Sequence, residues 1–143
     1  MKFSFTGVNV EESRHTSLAD LLVNIEADFE VADDAGVVYA EAMFPVAELA
    51  RDLTMWKSSG GEPDDDFVFD SMSFDEAGAI TVYRDTGGWS VRSVFDPERS
   101  TGPLPWADLA EVIDDFNREV SAGIRSIGID SRSIFDTAPS LNR

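Results

Sequence analysis

From residue 23 to residue 31 the chain alternates without a break. Val23, Ile25, Ala27, Phe29 and Val31 are apolar, and Asn24, Glu26, Asp28 and Glu30 between them are polar. Successive side chains of a strand point to opposite faces, so this pattern predicts a strand with one buried face and one acidic face. Asp33-Asp34-Ala35-Gly36 follows, a run suited to a tight turn, and Val37 to Ala42 returns as the partner strand. An antiparallel pair with one wet face must cover its apolar face with other elements.

The remaining patterns supply those elements. Phe3 to Val10 predicts another strand, with a phase shift at Gly7 that a β-bulge would explain. Glu11 to Thr16 reads as polar connection, and Ser17-Leu18-Ala19-Asp20 could cap a single helical turn. Val46, Leu49, Ala50, Leu53 and Trp56 recur at helical spacing, predicting a helix from Pro45 to Ser58 before Gly60-Gly61. After an acidic loop, Glu62 to Asp66, three strands are predicted at 67–74, 79–84 and 89–95, and their short turns force an antiparallel meander. Pro97 to Pro105 reads as a loop. A helix is predicted from Pro105 to Ala122, with Leu109, Val112, Ile113, Phe116 and Val120 inward and Gly123 placed to end it. The order β-β-β-α-β-β-β-α predicts an α+β fold, an antiparallel sheet of about six strands with two helices packed on one face. Residues 1–124 make a single domain in this reading, and 125–143 a partly ordered C-terminal tail in which Ile127 and Ile129 tuck against the body.

Charge narrows the choice of partner. Asp and Glu number 28 against 11 Lys and Arg, a net charge of −17, and the pI is near 4.1. A domain this acidic repels nucleic-acid phosphates and anionic lipid, and it steers toward basic proteins. Hydrophobic residues make up 43% of the chain, too many for a disordered acidic tail. There is no cysteine, which excludes disulfides, thiol catalysis and Cys-ligated zinc. Met1 to Phe5 lacks the apolar stretch of a signal peptide and no run is long enough for a membrane span, so a cytoplasmic location is expected. Lysine occurs only at Lys2 and Lys57. Arginine-rich, lysine-poor composition with abundant Ala, Asp and Gly is also what a GC-rich genome or a salt-adapted proteome produces, so part of the acidity can belong to the organism.

No reactive constellation emerges. His15 is the only histidine and stands in a polar segment with no nucleophile motif. Asp64-Asp65-Asp66 lacks the spaced acids and central glycine of a calcium loop. Asp33-Asp34 suits its turn, and Asp114-Asp115 cannot face each other on a helix, where Asp114 can pair with Arg118. Gly60-Gly61 and Gly87-Gly88 are outside any phosphate-cradling context. The expectation is therefore a protein that is not an enzyme and has no catalytic, metal or cofactor residues. The alternative is a small-ligand domain using Ser71, Ser73 and Ser93 on adjacent strands, or a structural domain whose acidity is proteome adaptation.

The residues expected to meet a partner are Asp64, Asp65 and Asp66 in the loop, Asp108, Glu111 and Asp115 along one face of the last helix, and Trp106 at its start. Trp56 and Trp89 are expected in the core, and Trp106 is either a core staple or an interface anchor. Leu22-Val23-Asn24-Ile25-Glu26-Ala27, Phe44-Pro45-Val46 with Glu48-Leu49-Ala50, Leu53 and Trp56, and Gly88-Trp89-Ser90-Val91 with Ser93 carry a resemblance over Leu18 to Gly123. On these residues the chain resembles an uncharacterised family of small acidic actinobacterial proteins, similar in type to the immunity proteins of bacterial toxin systems. The resemblance implies an acidic inhibitor that occludes a basic toxin or nuclease, and it assigns no functional residue.

Overall fold

In the computed structural model, which describes residues 1–10, 17–58, 61–71 and 73–135, the strands divide between two antiparallel sheets. The first sheet has the order β1-β2-β3, with β1 at Lys2–Val10, β2 at Ile25–Asp33 and β3 at Gly36–Phe44. The second has the order β4-β5-β6-β7, with β4 at Phe67–Val68, β5 at Thr81–Asp85, β6 at Gly88–Ser93 and β7 at Asp96–Ser100. The helices are α1 at Leu18–Asn24, α2 at Val46–Lys57, α3 at Trp106–Ser126 and α4 at Arg132–Phe135. None of the described helices is long and apolar enough to cross a membrane.

The alternation on β2 decides how the layers meet. Ile25, Ala27, Phe29 and Val31 are all buried, and α2 and α3 pack side by side against the first sheet. Phe29 stacks on Phe44 with ring centroids 4.4 Å apart and meets Phe116 of α3 at 5.7 Å. Phe3 of β1 adds an edge contact with Phe116 at 5.5 Å. Phe44 also reaches Phe69, just past β4, at 5.7 Å, so both sheets share one core. Large aromatic rings in edge-to-face contact contribute beyond the area they bury. The bulge expected in β1 is present: the register shifts between Thr6 and Asn9, and Gly7 has φ 71°.

Several boundaries differ from the sequence expectation, each for a tertiary reason. The α+β class and antiparallel pairing hold, but the six-stranded sheet is two sheets, because β3 ends at Phe44 and α2 intervenes before β4. Val23 and Asn24 continue α1, so the strand starts at Ile25. Only Phe67 and Val68 of the predicted 67–74 strand join the ladder. Beyond them the Phe69 N–H still donates to the Ile80 carbonyl at 2.9 Å, but Ser71 turns away to bind Glu48 on α2. The predicted loop at 97–105 begins with β7, whose Pro97 is tolerated on an edge strand.

Gly123 does not end the last helix. It sits inside α3, where an added Cβ would lie 3.2 Å from Val8 Cγ2 and 3.5 Å from Phe5 Cε2. Its missing side chain lets α3 approach β1. The helix stops instead at Gly128, φ 88°, where the Ile129 N–H donates to the Ile124 carbonyl at 3.2 Å. Ile129 packs against the core and Ile134 is fully buried. His15 lies outside the described residues, as do residues 136–143.

Gly123→Leu should push α3 off β1 and cost about 1–3 kcal/mol, the usual cost of overpacking. Urea unfolding followed by circular dichroism measures this, and an unchanged midpoint would show that the helix–strand contact is loose.

Candidate partner-binding surface

Three tryptophans from three elements meet at one place. Trp56 lies in the last turn of α2, Trp89 on β6 and Trp106 at the start of α3. Their ring centroids are 5.4 Å (Trp56–Trp89), 5.6 Å (Trp56–Trp106) and 5.6 Å (Trp89–Trp106) apart. Trp89 is the floor, 1% exposed, whereas Trp56 and Trp106 are half-buried and reach the surface. Trp106 is thus both a staple of the aromatic core and a surface residue. Its indole N–H has no acceptor among the described residues.

Backbone geometry places Trp106. The Trp89 N–H donates to the Leu104 carbonyl and the Leu104 N–H donates to the Trp89 carbonyl, both at 2.8 Å, so the chain before α3 is laid along β6. Gly88 makes this approach possible: its φ is 128°, and a Cβ there would stand 2.6 Å from the Leu104 carbonyl oxygen.

The acidic loop is pinned over these rings. The Trp56 indole donates to the Asp65 carbonyl at 3.0 Å. Glu62 accepts from the Trp89 indole at 2.7 Å and from Arg84 at 2.9 Å, and these two donors hold its carboxyl below the ordinary carboxylate range. The Arg84 guanidinium lies 5.2 Å from the centre of the Trp89 ring. Asp66 accepts the Arg84 backbone N–H at 3.3 Å. Asp64, Asp65 and Asp66 are exposed, and no cation pairs with them among the described residues.

The seven expected partner residues therefore do not form one site. Trp106 and the Asp64–Asp66 loop come together through Trp56. At about 100° per residue, Asp108, Glu111 and Asp115 stand roughly 200°, 140° and 180° around α3 from Trp106, on its far side. There Asp115 pairs with Arg118. The expected pair between Asp114 and Arg118 is replaced by Asp114 with Lys57 at 3.3 Å, which ties α3 to the end of α2.

A second acidic surface is the open face of the first sheet. Asp28 and Glu30 stand side by side on β2, opposite Thr6 and Ser4 of β1. Ala40 of β3 is opposite Glu30. Small neighbours leave a cleft of about 310 Å³ with Glu41 on its rim and no cation in its lining. Neither Asp28 nor Glu30 has a partner among the described residues. The polar phase of β2 was visible in the sequence, but the small flanking residues gain meaning only once the register is known.

The serine alternative fares differently. Ser71 and Ser93 are buried. Ser71 Oγ donates to Glu48 at 2.6 Å, and Ser93 Oγ accepts the Phe95 N–H at 3.1 Å. Both hydroxyls are engaged within the protein, and the exposed Ser73 donates its backbone N–H to Ser71 Oγ at 2.9 Å. Near Glu48, burial pushes the Asp52 carboxyl up to about 6, with repulsion from Glu48 and Asp70 adding to it and Arg51 opposing it.

An acidic tryptophan-centred surface on an α+β domain is what the fold presents. Residues 1–126 match the family described as a domain of unknown function (DUF7878), and the chain belongs to that family. No curated protein and no solved structure matches it.

Gly88→Ala should cost about 2–4 kcal/mol through strained backbone and collision with Leu104, and tryptophan fluorescence should shift red as Trp106 leaves the cluster. An unshifted spectrum would show that Gly88 does not position Trp106. Asp52 makes a pH prediction. Its folded value lies above the ordinary 3.8, so between about 4 and about 6 the native state holds a proton that the unfolded chain has lost. Stability falls as pH rises through that window and stays low above it. Asp52→Asn should therefore stabilise the protein at pH 7.5, by about 1 kcal/mol after solvent screening, with the gain vanishing below pH 4. A gain that is equal at both pH values would exclude the carboxylate as its source.

Proposed function

We propose that this domain is a protein-binding inhibitor that occludes a basic partner, most specifically an immunity protein facing a toxin or nuclease. The observation that carries this reading is the acidic loop at Asp64–Asp66, pinned beside the half-buried Trp56 and Trp106. An aromatic anchor with charged residues at its edge is the usual build of a binding hot spot. Lysines and arginines that a nuclease uses for phosphate would meet these carboxylates, and Trp106 would fill an apolar pocket on the partner. The net charge of −17 supplies long-range steering. Asp64, Asp65 and Asp66 take part in none of the five ion pairs seen among the described residues. Self-repulsion on this scale is a standing cost that a basic partner would relieve.

A second reading rests on the distribution of the acids. They occupy the open sheet face, the far side of α3 and the loop alike, as proteome-wide adaptation would also produce. The first experiment separates the two. Tagged protein is passed through lysate of its own organism at low salt and eluted with a salt gradient. One basic protein in stoichiometric amount, toxic when expressed alone, is the outcome expected of an inhibitor; a smear of unrelated basic proteins favours adaptation.

With that partner in hand, Trp106→Ala should raise the dissociation rate about 30-fold, a loss of about 2 kcal/mol. Combined Asp64→Asn and Asp65→Asn should slow association and flatten its salt dependence. If affinity at low salt is untouched by the double variant, the loop is not the contact surface.

A further inference from the structure

The outer strands of an open antiparallel sheet each present a row of unpaired backbone N–H and C=O groups, which invites another chain unless it is guarded. Of the four edges in the two sheets, three are guarded. β4 has only Phe67 and Val68 to offer. β7 carries Asp96, Pro97, Glu98 and Arg99. β3 is in contact with β7, and Arg99 donates to the Val37 carbonyl at 3.2 Å. β1 is the exception. Lys2 and the Gly7 bulge stand at the two ends of a straight run, and Phe3-Ser4-Phe5-Thr6 between them holds no charge and no proline. Among the described residues, no backbone group of another element bonds to the outer side of this run.

Both sides of that edge are acidic. On the open face, the small Ser4 and Thr6 stand opposite Glu30 and Asp28 of β2, in the cleft of about 310 Å³. On the other side, Met1, Lys2 and Phe3 line a cleft of about 210 Å³ with Val112, Asp115 and Glu119 of α3. Asp28, Glu30 and Glu119 have no partner among the described residues, while Asp115 pairs with Arg118. A strand laid along β1 would point its side chains alternately to these two sides. One set would pass over Ser4 and Thr6 toward β2, two strand spacings or roughly 10 Å away, a span that an extended arginine and a carboxylate close between them. The other set would meet Val112 and Met1, with Glu119 at the rim. A second copy of this chain fits poorly, because it would bring the same acids against those already there.

We propose that the outer edge of β1, from Phe3 to Thr6, is a strand-addition site, and that its occupant is an extended basic segment of another protein with Arg or Lys at alternate positions and apolar residues between them. Backbone hydrogen bonds supply the register, and Asp28 and Glu30 select the charge. The site uses neither the Asp64–Asp66 loop nor Trp106, so it stands or falls separately from the inhibitor reading.

The test titrates the full chain into a fluorescein-labelled, end-capped Arg-Val-Arg-Val-Arg peptide, followed by anisotropy at low ionic strength. Any basic peptide adheres to so acidic a protein, so backbone pairing has to be read separately from charge. Two N-methylated forms of the peptide do this, one methylated at the valines and one at the arginines. A β-ladder takes only alternate amides of the added strand, so one form should bind about tenfold more weakly than the parent and the other should match it. Two forms that behave alike would overturn the proposal. Asp28→Asn with Glu30→Gln should weaken the parent peptide about tenfold, whereas Asp64→Asn with Asp65→Asn should leave it unchanged. Equal losses from the two pairs would mean general adhesion and end the proposal. Hydrogen exchange locates the contact: the outward amides among Phe3–Thr6 should slow when the peptide is added, and those of β7 should not. If the β1 amides are slow without peptide and quicken on dilution, a second copy is the occupant and the assignment to a basic segment is wrong.

Discussion

The structure depends on burying the apolar phase of β2. Phe29 sits at its centre, stacked on Phe44 and edge-on to Phe116 and Phe3. That contact sets the distance between the first sheet and α3, and Phe44 extends it to Phe69 and the second sheet. A one-residue slip in β2 would send this apolar set to solvent and bring Glu26, Asp28 and Glu30 inward, so register and core are specified together. The acidity of the open face follows from the same alternation: what is not needed inside is free to be charged.

The tryptophan cluster is a second junction of another kind. α2, β6 and the start of α3 meet there through ring contacts, but polar groups hold it in place. Indole N–H groups of Trp56 and Trp89 are satisfied by Asp65 and Glu62, and Gly88 admits the Leu104 backbone. The polar handles of tryptophan explain how the loop is held at this spot: the Trp56 indole donates to the Asp65 backbone carbonyl and the buried Trp89 indole to the Glu62 carboxylate. Its remaining carboxylates then stand at the surface beside the rings.

Much of the fold was legible because it is local. The hairpin through Asp33 and Gly36, the bulge at Gly7 and the helical stripe from Val46 to Trp56 depend on near neighbours in the chain, and each is where the pattern puts it. Misreadings arose where a distant contact overrides a local preference. Gly123 looks like a helix end and is a packing notch against Val8 and Phe5. Residues 69–74 were expected to continue the strand that starts at Phe67, yet Ser71 is drawn to Glu48 and the ladder breaks. Pro97 suggested a loop, but an edge strand needs no donor on its outer side. For the candidate surface, the residue types were visible and their grouping was not. The acids of α3 share a helix with Trp106 but face away from it.

By itself the sequence determined the α+β class, the antiparallel pairings across short turns, the apolar faces and the acidity, since periodicity and turn chemistry act over a few residues. Only the tertiary structure decided that the strands split into two sheets, that three tryptophans from separate elements converge, and that the segment after Gly128 packs on α1 and α2. Those outcomes depend on contacts between residues tens of positions apart. Many chain paths satisfy the same local pattern, and the one adopted fills the core while pairing its buried side-chain polar groups, Asn117 Oδ1 excepted among the described residues.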